Sequence, residues 1–151
     1  GHYSKNGNIW SQRIIDRLNK PEYLVDETLT IQSSSWLMKK THYTDFLKGL
    51  TIVGYGPHIR EGEEICLKTW LGGGRVMTNK NTWYAHLHKG TRYGRMYFTD
   101  RRHIYRGIAY CNDFWFNNRW TDAQHDLAWL IERFAPVPSW TPELIEQVRK
   151  R

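Results

Sequence analysis

The sequence predicts an α/β fold, and three observations carry that reading. From Glu61, an apolar stripe of Cys66, Leu67, Trp70 and Leu71 repeats at helical spacing, with Glu61, Glu64 and Lys68 on the other side. A few residues later, Thr82 to His88 alternates with the period of a strand. Near the end, Thr121 and Thr141 each head a helix-start signature. A chain of 151 residues suits one domain with a sizeable core, and 40% hydrophobic and 25% charged residues are ordinary for a globular protein.

The elements follow in order. Asn8 to Lys20 reads as a helix, with Trp10, Ile14 and Leu18 on one face and Pro21 beyond its end. Leu24 to Ser35 is strand-like, because Thr28, Thr30 and Ile31 give it β character. Trp36 to Leu50 continues through Tyr43, Phe46 and Leu47 at helical spacing, and Thr51 to Arg60, with two glycines and a proline, is a loop. The helix from Glu61 places Glu64 and Lys68 at i and i+4 in the favourable order. Gly72-Gly73-Gly74 stops it and reverses the chain. Arg75 to Thr78 is a short strand, Asn79 to Asn81 a turn, and Thr82 to His88 a strand with Trp83, Ala85 and Leu87 on one face and Tyr84, His86 and His88 on the other. A basic, tyrosine-rich segment runs from Lys89 to Gly107 with little periodicity. Ile108 to Asn118 reads as a helix. A capping box at Thr121 to Gln124 opens another that reaches Phe134 before Pro136 and Pro138, and Thr141-Pro142 opens the last.

Composition narrows the partners. The net charge of +7 favours anionic partners such as nucleotide phosphates or nucleic acid. Aromatic residues make up 15% of the chain, enough for stacking surfaces as well as core. Two cysteines are few for a secreted disulfide scaffold, which points to reduced thiols and a cytoplasmic setting, the host cytoplasm if a phage encodes the chain. No apolar run approaches the length of a membrane span, and the polar start carries no signal-peptide pattern. An excised piece or the product of a cut is the expectation.

Each candidate group has a plain structural alternative. His86 and His88, two apart on one strand face, can share a metal or a phosphate; on spacing alone an exposed surface pair is the stronger reading. Glu61 and Glu64 can line a catalytic cleft, but pattern alone favours a solvated helix face with Lys68 as partner. The triple glycine follows a helix rather than preceding one, so it reads as a turn and not as a phosphate cradle. The segment from Lys89 to Arg106 fits a nucleic-acid backbone and a solvated loop equally well.

The run from Thr30 to Lys89 resembles the C-terminal half of a family 2-type glycosyltransferase of GT-A fold. The residues that carry the likeness are the small-residue turn with aromatic, Ser33-Ser34-Ser35-Trp36, and then Glu61-x-x-Glu64-Ile65-x-Leu67-Lys68-x-Trp70-Leu71-x-Gly73-Gly74. Paired strands at Arg75 to Met77 and Tyr84 to His88 follow. The same order resembles the polypeptide N-acetylgalactosaminyltransferases, and Ala109 to Pro142 looks like the tail of phage-type members.

The resemblance implies an incomplete GT-A fold: an acceptor-side half at 1–107 with a short mixed sheet and several helices, and a helical tail at 108–151 packed on it. It implies transfer of a sugar from a nucleotide-sugar donor, a uridine diphosphate sugar first, to an acceptor hydroxyl. It places His86 as a ligand of Mn²⁺ or Mg²⁺ and Glu61 and Glu64 at the catalytic position. Trp36, Ser34, Ser35, His88 and Lys89 fall at substrate-binding positions.

Two departures shape it further. Inverting members carry Glu-Asp where this chain has Glu61-Gly62, which leans towards a retaining enzyme. The donor-binding half, with its Asp-x-Asp, is absent from the sequence, so the fragment alone is expected to be inactive and to need that missing half or a partner chain. The acceptor expected from the charge and the phage-like tail is DNA carrying hydroxymethylated pyrimidines, with glycan or protein as the other acceptors. A non-catalytic basic nucleic-acid-binding module is the alternative function.

Overall fold

Helix α1, Glu61–Leu71, is the element around which the rest is arranged in a computed structural model of the chain. The structure describes residues 16–17, 19–31, 33–51, 53–55, 60–85, 100–137 and 140–149. Three acidic residues in the first turn of α1, Glu61, Glu63 and Glu64, suit the positive end of the helix dipole. At the other end, Gly74 N–H donates to the Thr69 carbonyl at 2.8 Å and Gly73 N–H to the Trp70 carbonyl at 3.0 Å. With Gly73 at φ +84°, this is the paired-bond helix stop that glycine favours, and it confirms the glycine run as a turn.

The turn sends the chain into β2, Met77–Asn79, which pairs antiparallel with β1, Val25–Glu27. The register sets Asp26 opposite Thr78. Thr28 N–H to the Val76 carbonyl and Lys80 N–H to the Leu24 carbonyl extend the ladder at both ends. Among the described residues the sheet has only these two strands.

Among the described residues three more α-helices follow: α2 at Arg101–Phe116, α3 at Leu127–Arg133 and α4 at Pro142–Gln147. Each has a side-chain cap, from Asp100, Asp126 and Thr141 respectively. Asn118, at φ +48°, turns the chain after α2. Its amide holds the Val148 carbonyl at 2.8 Å and accepts from Leu127 N–H at 3.1 Å, so one asparagine ties together the ends of α2, α3 and α4.

The core gathers Cys66, Trp70 and Leu71 from α1, Cys111 and Trp115 from α2, and Leu127, Ala128, Leu130 and Ile131 from α3, with Leu29, Tyr55 and Phe134. The Trp70 ring meets Phe134 edge-on at 5.2 Å, and its N–H donates to the Thr28 carbonyl. Trp115 N–H donates to the Tyr55 hydroxyl at 3.0 Å. The Arg133 guanidinium sits over Trp70 and binds both Glu27 carboxylate oxygens at 2.8 Å, joining α3 to β1.

A mixed α/β content therefore holds, while several element readings are corrected. The strand expected over Leu24 to Ser35 shrinks to Val25–Glu27, because its partner β2 is only three residues long and Ser33 opens a turn. Strand β2 pairs with β1 where the expected partner was Tyr84 to His88; of that stretch Tyr84 and Ala85 are described and are not strand, 86–88 lie outside the described residues, and Trp83 just before it is 85% exposed. Trp36 to Leu50 forms only one π-helical turn, His42–Phe46, closed by Lys48 and Gly49 at positive φ. The expected helix at Ile108 begins seven residues earlier, because Asp100 caps it. The capping box at Thr121 is a turn, and Asp126 is the cap that counts. The boundary expected between 107 and 108 falls inside α2. The helix expected over Asn8 to Lys20 lies mostly outside the described residues.

Candidate functional site

The polar side of α1 is not solvated. Glu64 is 1% exposed and Lys68 is 6% exposed, because the segment from Leu47 to Thr51 lies across them. The Lys68 ammonium donates to the Leu47 and Gly49 carbonyls at 3.0 Å each and pairs with the Glu64 carboxylate at 2.8 Å. Three donors meet three acceptors. Both Glu64 oxygens also accept from Thr51 N–H. The expected i,i+4 pair is present, but as a buried clamp on a loop. Its carboxylate faces protein on every side, with no open edge for an acceptor hydroxyl.

The first turn of α1 is open in a different way. Glu61 is half-buried at the helix start. Gly62, next to it, packs against the serine turn: an added Cβ would stand 2.6 Å from Ser33 Oγ and 3.3 Å from the Ile31 carbonyl. An aspartate at this position would require the turn to move. Ser34, Ser35 and Trp36 are exposed on that turn. Ser34 Oγ lies 2.9 Å from Tyr84 Oη across fifty positions of sequence, and Tyr84 lies just before the segment that carries His86. The structure thus brings together Gly62, which follows Glu61, the serine turn that leads to Trp36, and Tyr84. Trp70, by contrast, is fully buried core.

His86, His88 and Lys89 lie outside the described residues. Among the described residues no three His, Cys, Asp or Glu side chains group as a metal site. Two of the three carboxylates of α1 are already engaged: Glu64 is held by Lys68, and Glu63 pairs with Arg60. What the resemblance asks of this chain is a single ligand, His86.

Sequence reasoning placed Ser33 and Tyr84 in the motif but gave neither a role in the site, and it did not single out His42. The signal for Ser33 was Gly62, a glycine inside a helix with no local reason to be there. His42 lies within 3.0 Å of Thr69 Oγ1 and stacks on Phe46 at 4.7 Å, and burial holds its imidazole below the usual histidine range. No family model, curated protein or solved structure matches this chain.

Proposed function

We propose that this chain is the acceptor-side half of a GT-A-fold glycosyltransferase that moves a sugar from a nucleotide sugar to an acceptor hydroxyl. The observation that carries the reading is the packing of Gly62, the neighbour of Glu61, on the serine turn, which Ser34 joins to Tyr84. These residues belong to separated parts of the motif, and a cleft wall needs them side by side. The mixed helices and small antiparallel sheet are compatible with such a half.

On this reading Glu61 orients the acceptor hydroxyl, and Glu64 holds the loop behind it. Trp36, Ser34 and Ser35 supply an exposed aromatic and hydroxyls at the mouth, suited to a sugar ring. The metal, when bound, neutralises the departing diphosphate, and His86 is this chain's ligand to it. With glycine at 62 the aspartate base of inverting members is missing, so the departing diphosphate takes the proton of the acceptor hydroxyl as the new glycosidic bond replaces the sugar–phosphate bond on the same face, and the anomeric configuration is retained.

The test is transfer from uridine diphosphate sugars with Mn²⁺, by the chain alone and extended by an upstream half bearing Asp-x-Asp. The extended protein transfers sugar and the 151 residues alone do not. Replacing His86 with Ala removes metal-dependent donor binding, and NMR of the product shows a retained anomer. Robust transfer by the chain alone overturns the division of labour, and an inverted product overturns the retaining mechanism.

A further inference from the structure

The solvent face of α2 carries a pattern that sugar transfer does not use. Arg101, Tyr105, Asn112 and Phe116 follow one line along the helix, flanked by Arg102, Arg106, Ala109 and Asp113, and all of them are exposed. Gly107, Cys111 and Trp115 are buried on the opposite side. The line is about 22 Å long at the helical rise.

Its first two turns are cationic. Arg101, Arg102 and Arg106 are exposed, and two acids share the face. Asp100 binds Arg102 through two nitrogens at 2.8 and 3.0 Å. Asp113 is held by Arg119 at 2.9 Å and by Asn117 at 3.0 Å. Between the arginines stands Tyr105, 67% exposed. At the other end Phe116 meets Trp140 edge-on at 5.5 Å, beside a groove of about 520 Å³ between α2 and α4. Asn112 and Gln147 add amide donors and acceptors to its lining.

We propose that this face binds single-stranded nucleic acid. Arg101 and Arg106 meet phosphates, one base stacks on Tyr105, and a second enters the groove at Phe116 and Trp140. Arginines alone would suit any polyanion. Exposed aromatics along the same line favour a polymer with flat faces, and unpaired bases offer the π-faces that stack best on them. The amides of the groove match base edges. This names the acceptor class of the glycosyltransferase reading and rests on that reading only for the word acceptor, because the binding needs neither metal nor nucleotide sugar.

The test is fluorescence anisotropy with a labelled oligodeoxynucleotide of about 12 nucleotides, within the span such surfaces cover. It is run without metal or nucleotide sugar between about 50 and 200 mM salt. The Arg101→Ala/Arg106→Ala variant binds about tenfold more weakly, and its log–log salt slope is smaller by about 1.4, two phosphates' worth on a single strand. Tyr105→Ala binds about fivefold or more weakly with the slope unchanged, as lost stacking requires. All three positions are exposed, so circular dichroism melting of the variants matches the parent. An unchanged slope in the arginine variant, unchanged affinity in Tyr105→Ala, or equal binding of duplex DNA or polyglutamate overturns the proposal. Oligonucleotide binding by a protein that transfers no sugar keeps it and removes the enzyme reading. Transfer to a glycan or protein by a chain that binds no oligonucleotide does the reverse.

Discussion

Lys68 shows how a single side chain can hold a loop without regular structure. Its ammonium reaches the Leu47 and Gly49 carbonyls, which would otherwise face the core without partners, and the Glu64 carboxylate balances its charge. Replacing Lys68 with Met keeps most of the volume but leaves a buried carboxylate uncompensated and two carbonyls unpaired. Breaking one side of such a pair costs about 3–5 kcal/mol. Urea unfolding should therefore show Lys68→Met destabilised by about that amount, and a loss below about 1 kcal/mol would mean that water reaches the pair. A smaller backbone effect sits at Gly54. It has φ +98°, and an added Cβ would stand 2.3 Å from the Tyr110 ring, so Gly54→Ala is strained in both conformation and space. The i,i+4 order of Glu64 and Lys68 was legible in the sequence, because helix geometry fixes which side chains meet. Their burial was not, because it depends on a loop thirteen or more residues away that carries no periodic signal.

At the scale of elements, the readings that held rest on local chemistry and those that failed rest on partners. Helix α1, its glycine stop and the Thr141-Pro142 start of α4 are each decided within a few residues, and each was legible. The strands were not, since a strand's length is set by the strand it pairs with, and the alternation of Thr82 to His88 gave no sign that β2 would pair backwards with β1. The helix start at Asp100 was missed because the polar Arg101-Arg102-His103 follows it, and the start at Asp126 because the capping-box pattern at Thr121 placed the beginning of the same helix five residues earlier. The join between the π-helical turn and α1 yields a prediction at this scale. His42 touches Thr69 of α1 and stacks on Phe46, whose ring also lies where a Cβ on Gly72 would be. Burial lowers its pKa from the usual 6.5, so the folded state resists protonation there. For a lowered pKa, the unfolded chain binds the proton first. The stabilising contribution is then present above about 6.5 and lost as pH falls. Urea midpoints should drop between about pH 7.5 and 5.5 in the parent and drop less in His42→Gln. An equal fall in both would place the acid sensitivity elsewhere.

At the scale of the whole molecule, the core crosses the boundary that the family resemblance would draw. Cys66 on α1 and Cys111 on α2 belong to one hydrophobic cluster, with Trp115 bonded back to Tyr55 and Phe134 packed on Trp70. A core shared in this way should open as a unit, not as a half and a detachable tail. The two thiols report on this directly. Burial pushes the Cys66 thiol up to about 12, from an ordinary 9.0, and raises Cys111 as well, so neither reacts as a thiolate in the folded state near neutral pH. Both should be labelled by a thiol reagent only through global opening, at one common rate that urea increases equally for both. A raised pKa works in the opposite sense to that of His42. The contribution is complete below about 9 and disappears as pH rises towards 12, so labelling of both thiols should accelerate together across that window by more than free-thiol chemistry explains. Mass spectrometry of each cysteine peptide over time would decide it. If Cys111 is labelled well before Cys66, residues beyond 107 detach on their own; equal rates mean that α1, α2 and α3 stand or fall together.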